Sequence, residues 1–126
     1  SNDPHFLLVG MHVLFADDSL DNQFIIENFL TGHGAIVSLA SDGNEAVTKA
    51  LNSDYHLVLM DIQMPKLDGY QAAKLLFNIG YTKPVIALTA EVITDNSAIS
   101  QVQGFSGHLN KPFDFVEILD LILNYK

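Results

Sequence analysis

Apolar residues fall in short dense blocks along this chain, and each block ends in a polar residue of a particular kind. The blocks at 11–16, 35–40, 57–60 and 85–88, with a less apolar fifth at 107–110, are each about one strand long. The third is apolar at every position, which predicts a central strand buried on both faces. Between the blocks the period changes. Ser19 can cap a helix that runs to about Leu30 and stops at Gly32 and Gly34, and Gly43 opens a helix through Ala46, Val47, Ala50 and Leu51. Turn chemistry at Met64-Pro65-Lys66-Leu67-Asp68-Gly69 precedes a helix from Tyr70 to about Asn78. A polar, weakly amphipathic helix is expected over 95–103, and Phe115, Ile118, Leu119 and Ile122 mark a last helix at spacing i, i+3, i+4 and i+7. Strand and helix alternate throughout, so the expected fold class is α/β, a parallel sheet with helices on both faces.

The residues that end the blocks carry the candidate chemistry. Asp17-Asp18 follows the first, Asp61 the third, Thr89 the fourth and Lys111-Pro112 the fifth. Parallel strands bring their carboxyl ends to one edge of a sheet, where ligands bind in open α/β folds. An ionised Asp61 beside Leu57, Val58, Leu59 and Met60 is penalised by desolvation unless cations or donors compensate it. Aspartate can attack phosphorus and form an acyl phosphate once the repulsion between two anions is relieved, which a divalent cation does. Mg²⁺ takes hard oxygen ligands, so Asp18 and Asp61 are expected to bind it directly, Asp17 through water, and Gln63 through its backbone carbonyl. Lys111 and the Thr89 hydroxyl would each take a phosphate oxygen.

Composition narrows the function classes. The net charge is −9, with six basic residues, all lysine, which argues against a nucleic-acid surface on this domain. There is no cysteine, hence no disulfide or thiolate metal site. No apolar run is long enough to span a membrane and no signal peptide is recognisable, so the expected location is cytoplasmic, with any membrane anchor left to a longer parent chain. Ser1-Asn2 reads as a tag scar, which places a scar and linker remnant at 1–10 and a single domain at 11–126.

Asp17-Asp18, Met60-Asp61 with Met64-Pro65 and Asp68-Gly69, Thr89-Ala90 and Lys111-Pro112-Phe113 together resemble the receiver domain of two-component response regulators and hybrid histidine kinases. The resemblance runs from about Met11 to Tyr125 in the family's order. It implies a flavodoxin-like (βα)5 fold with strand order 2-1-3-4-5. It also implies that Asp61 is the phosphoacceptor, taking phosphate from a histidine of a kinase or phosphotransfer protein, so that the domain catalyses its own phosphoryl transfer. The phrase Met60-Asp61-Ile62-Gln63-Met64-Pro65 with Leu88-Thr89-Ala90 looks most like receivers attached to hybrid sensor kinases. In the family, Thr89 works with an aromatic residue three before the lysine as a conformational switch. Here that position is His108, either an exposed edge-strand residue or a smaller, titratable switch. Gln63 and Glu91 occupy positions that, in the family, tune the access of hydrolytic water; read plainly, both are ordinary loop polarity. The first helix docks the phosphodonor in the family, which makes Phe24 and Ile25 candidates for that face.

Each residue also has a plainer reading. Asp17-Asp18 alone is a solvated turn or cap, Thr89 a strand end, Lys111 a surface lysine; their joint placement is what points to phosphate. Asp68-Gly69 is read as structural, the start of the third helix. The rival function is a receiver-like interaction module that binds partners without phosphorylation. A phosphatase of the haloacid dehalogenase type is disfavoured, because its Asp-x-Asp arrangement on the first strand is absent here. The oligomeric state is left open.

Overall fold

Strand β1 (His12–Ala16) sends Val13 and Phe15 to one side of the sheet and Leu14 and Ala16 to the other, and all four are buried. A strand that buries both faces needs helices on both, and the chain supplies them. The coordinates are a computed structural model that describes residues 4–90 and 103–126. Within them β1, β2 (Ile36–Ala40), β3 (Leu57–Asp61), β4 (Val85–Thr89) and β5 (Gly107–Asn110) form one parallel sheet in the order β2-β1-β3-β4-β5. This is the strand order the resemblance implies. β3 and β4 are buried at every position, as an all-apolar block in a covered parallel sheet requires.

Helix α1 (Leu20–Gly32) and a C-terminal helix (Phe115–Leu123) cover the Val13 and Phe15 side, where Ile26, Leu30, Ile118 and Ile122 join Leu57, Leu59, Ile86 and Leu88. Helices α2 (Gly43–Asn52) and α3 (Gly69–Asn78) cover the other side with Ala46, Val47, Ala50, Ala72, Ala73 and Leu76. Among the described residues each of these four α-helices is capped by the side chain that local chemistry favours: Ser19, Asp42, Asp68 and Asp114 each accept a hydrogen bond from a first-turn N–H. At α3 the Gln71 side chain returns the bond to Asp68, completing a capping box. Asp68-Gly69 is thus the helix start expected of it.

Two details go beyond the sequence pattern. In the C-terminal helix, Ile118 and Ile122 are buried but Phe115 is exposed, lying across the ring of Phe29 at 4.6 Å instead of entering the core. The stretch before Met11, expected to be a linker remnant, includes Leu8, which is fully buried in the same cluster as Met11. Its N–H donates to the His33 carbonyl at 2.8 Å, and Lys126 Nζ donates to the Leu7 carbonyl at 2.8 Å. From His5 onward this segment therefore packs with the domain. The helix expected over 95–103 falls almost wholly outside the described residues. Among those described, no helix is long and apolar enough to cross a membrane.

Candidate functional site

Strand register builds the site. Ala16 pairs with Met60, so the next residues, Asp17 and Asp61, lie level at the carboxyl edge. Asp61 pairs with Leu88, one residue before Thr89, and Thr89 pairs with Asn110, one residue before Lys111. The Lys111 N–H continues the ladder to the Thr89 carbonyl at 2.8 Å, and the Lys111–Pro112 peptide is cis. Residues far apart in sequence are thereby brought to one edge by backbone pairing alone.

The side chains converge. One carboxylate oxygen from each of Asp17, Asp18 and Asp61 lies within 4.8 Å of the others. Lys111 Nζ is 3.0 Å from Oδ1 of Asp61 and 3.7 Å from Oδ2 of Asp17. Asp17, Asp61 and Thr89 are buried, Asp18 is exposed, and Lys111 is partly exposed. Asp61, Ile62, Gln63, Leu88, Thr89, Ala90 and Lys111 line a cleft, and Asp18, Gln63, Met64, Pro65, Asp68 and Tyr70 line a wider opening beside it. All five strand-end residues read from the sequence thus meet at one edge.

Burial pushes the Asp61 carboxyl above the ordinary carboxylate range, and the negative charge of Asp17 adds to the rise; Lys111 and the Gln63 N–H, which donates to Oδ1 at 3.2 Å, oppose it. The charge is therefore only partly compensated by the protein. Three convergent carboxylates, one of them open to solvent, are hard oxygen donors of the kind that hold a divalent cation, so the donor set fits Mg²⁺.

Two residues of the site escaped the sequence reading. The Asn22 side-chain amide donates to Oδ2 of Asp17 at 3.0 Å, while the Gln23 amide donates to the Asp17 carbonyl at 2.6 Å and to Ser41 Oγ at 3.0 Å. Gln23 had a signal. It stands three residues before Ile26 and seven before Leu30, on the buried stripe of α1, where a polar side chain needs a partner. Asn22 had none, because a polar residue in a first helical turn is ordinary.

His108, Phe24 and Ile25 are not among the residues that line the cleft. His108 is exposed on the edge strand β5, opposite Ala87. Phe24 and Ile25 are exposed on α1, as a docking role requires, with Leu20 exposed beside them. Glu91 falls outside the described residues.

Residues 13–123 match the family described as the response regulator receiver domain. The probable histidine kinase 2 of Oryza sativa subsp. indica is 34% identical over 133 residues, an alignment covering 91% of this chain and 13% of the kinase. The chain thus spans a small part of that relative. Among solved structures, the receiver domain of the sensor histidine kinase PA1611 from Pseudomonas aeruginosa PAO1, with a magnesium ion coordinated in its active site cleft, is 32% identical with a TM-score of 0.80, covering 93% of this chain and 98% of that one. The co-crystal structure of the Saccharomyces cerevisiae histidine phosphotransfer protein Ypd1 with the receiver domain of Ssk1 matches with a TM-score of 0.86 at 27% identity, over 94% of this chain and 90% of that one. With its flavodoxin-like fold and its cluster of strand-end aspartates, the chain belongs to the response regulator receiver domain family of two-component systems.

Proposed function

We propose that Asp61 is the phosphoacceptor of a phosphorelay, charged from a phosphohistidine of a histidine kinase or histidine phosphotransfer protein. The observation that carries this reading is the pairing of Asp61 Oδ1 with Lys111 Nζ at 3.0 Å inside the three-carboxylate cluster. An oxygen of Asp61 attacks phosphorus, the P–N bond to the donor imidazole breaks with its electron pair returning to the ring, and an acyl phosphate remains. Lys111 neutralises charge on the arriving phosphoryl oxygens, and the Thr89 hydroxyl donates to another of them. Asp18, Asp61 and the Gln63 carbonyl would hold Mg²⁺ directly, with Asp17 acting through water. When bound, Mg²⁺ neutralises the carboxylates and phosphoryl oxygens that would otherwise repel.

The exposed Phe24 and Ile25 on α1 form the docking face for the phosphodonor in this reading, and its likeness to a plant histidine kinase supports a place in a hybrid sensor kinase. Gln63 and Glu91 tune hydrolysis. His108 starts outside and turns inward when Thr89 engages the phosphoryl group. Identical hydrogen-exchange responses of β5 to phosphorylation in wild type and His108→Ala would remove His108 from the switch.

Incubation with acetyl phosphate and Mg²⁺ should add one phosphoryl mass, measured on the intact chain, that chelation prevents and Asp61→Asn abolishes. Unchanged mass under these conditions, with partner binding retained, would replace this reading with that of a phosphorylation-independent interaction module.

A further inference from the structure

The first turn of α1 holds Asp17 at three separate atoms. The Ser19 N–H donates to Oδ1 at 2.9 Å, the Asn22 amide to Oδ2 at 3.0 Å and the Gln23 amide to the backbone carbonyl at 2.6 Å. Asn22 can offer only its NH₂ group here, since a carboxylate accepts and does not donate. The buried Gln23 also reaches Ser41, so its side chain ties the loop after β1 to the loop after β2. Asp17 is therefore held in backbone and in carboxylate, whereas Asp61 receives donors at Oδ1 from the Gln63 N–H and Lys111.

One ammonium faces two carboxylates. Lys111 Nζ makes its short contact, 3.0 Å, with Asp61 and a longer one, 3.7 Å, with Oδ2 of Asp17, the same oxygen that Asn22 occupies. A carboxylate oxygen already accepting a good hydrogen bond in a buried setting attracts a second donor less than an unfilled one does. Without the amide, Oδ2 of Asp17 would be buried and under-satisfied, and the Lys111 ammonium, already 3.7 Å away, is a donor able to fill it.

We propose that Asn22 is a positioning residue for phosphoryl transfer: by filling Oδ2 of Asp17 it keeps the Lys111 ammonium on the Asp61 side of the cluster, where phosphoryl oxygens arrive. This rests on the reading of Asp61 as phosphoacceptor. Asn22 touches neither the phosphoryl group nor Asp61; it acts through Asp17 and Lys111.

The test is a double-mutant cycle on phosphorylation of the purified chain by acetyl phosphate at saturating Mg²⁺, with rate followed against acetyl phosphate concentration. Asn22→Ala should lower the maximal rate about tenfold while the half-saturating concentration changes less than about threefold. Asn22→Asp, which adds a like charge on Asp17 and a new pull on Lys111, should lower it further. In an Asp17→Asn background, where the competing charge is gone, Asn22→Ala should change the rate less than about twofold. A residue that only stabilises the helix start would give additive losses, and additivity overturns the proposal. So does a wild-type rate in Asn22→Ala while wild type itself is phosphorylated at Asp61. Absence of phosphorylation in the wild type would overturn this inference together with the phosphoacceptor reading.

Discussion

Gly69 lies so close to the backbone carbonyl of Asp61 that a Cβ on it would overlap that oxygen and the Cα of Ile62. The contact brings the start of α3 directly beneath the end of β3, and the Gly69 N–H donates to the Ile62 carbonyl at 2.9 Å. Backbone, not a flexible side chain, stands in the way, so Gly69→Ala must displace the strand end that carries Asp61. We expect a loss of about 2 kcal/mol of stability and slower phosphorylation of Asp61. Urea denaturation and intact-mass kinetics on the same preparation check both.

Asp61 is held above its ordinary pKa of 3.8, first by burial and then by Asp17. The folded state therefore binds this proton more tightly than the unfolded state, and the charged form opposes folding. The penalty is absent at pH well below 3.8, where the carboxyl is protonated in both states, and grows as pH rises through the raised pKa. Asp61→Asn should consequently raise Tm by about 3 °C near neutral pH, the shift that ~1 kcal/mol makes in a small domain, and the difference should vanish in acid. The variant should also lose Mg²⁺-dependent stabilisation, which in the wild type reaches about 1.4 kcal/mol at ten times Kd.

Removing the partner of a buried charge is worse than removing the charge. Lys111→Met leaves Asp61 and Asp17 facing each other without their shared ammonium. Because Lys111 is partly exposed, we expect a loss of about 2 kcal/mol, below the range for fully buried pairs. Asp61→Asn in the same chain should recover most of it. Thermal melts of the two single variants and the double variant give the coupling directly.

Leu8 lies outside the expected domain boundary yet inside its core. Leu8→Ala should destabilise the domain by about 3 kcal/mol, the ordinary consequence of truncating a fully buried leucine. Equal denaturation midpoints for Leu8→Ala and wild type would return residues 1–10 to the status of a linker.

Burial pushes the Tyr81 phenol up to about 12, with Tyr55 and Asp54 contributing. Its stabilising neutral form is fully present below the ordinary value of 10.0 and is lost as pH climbs toward about 12. Among the described residues the buried Tyr81 hydroxyl has no hydrogen-bond partner. Tyr81→Phe should accordingly stay within about 1 kcal/mol of wild type at neutral pH and show a shallower fall in stability over the alkaline range. Denaturant titrations at successive pH values, with tyrosinate absorbance followed in parallel, measure both.

Much of this molecule is legible in order along the chain because its elements rest on local chemistry. Ser19, Asp68 and the all-apolar block at 57–60 announce a cap, a helix start and a central strand with no help from the rest of the fold. The block-end residues Asp17, Asp61, Thr89 and Lys111 become a site once parallel pairing is assumed. Asn22 stayed invisible because its partner is chosen by distance across a loop, and Leu8 because a single leucine carries no period. Phe115 kept the helical spacing but met Phe29 at the surface, which periodicity cannot distinguish from the core.

By itself, then, the sequence determined the alternation of strands and helices, the identity of the acidic and basic groups and the edge on which they gather, since all of these follow from burial patterns and chain direction. Tertiary structure alone decided which carboxylate holds Lys111, which face of α1 is left open around Phe24 and Ile25, and how closely Gly69 approaches Asp61. Those outcomes depend on separations of a few tenths of an ångström between residues distant in the chain, set by the packing of every element at once.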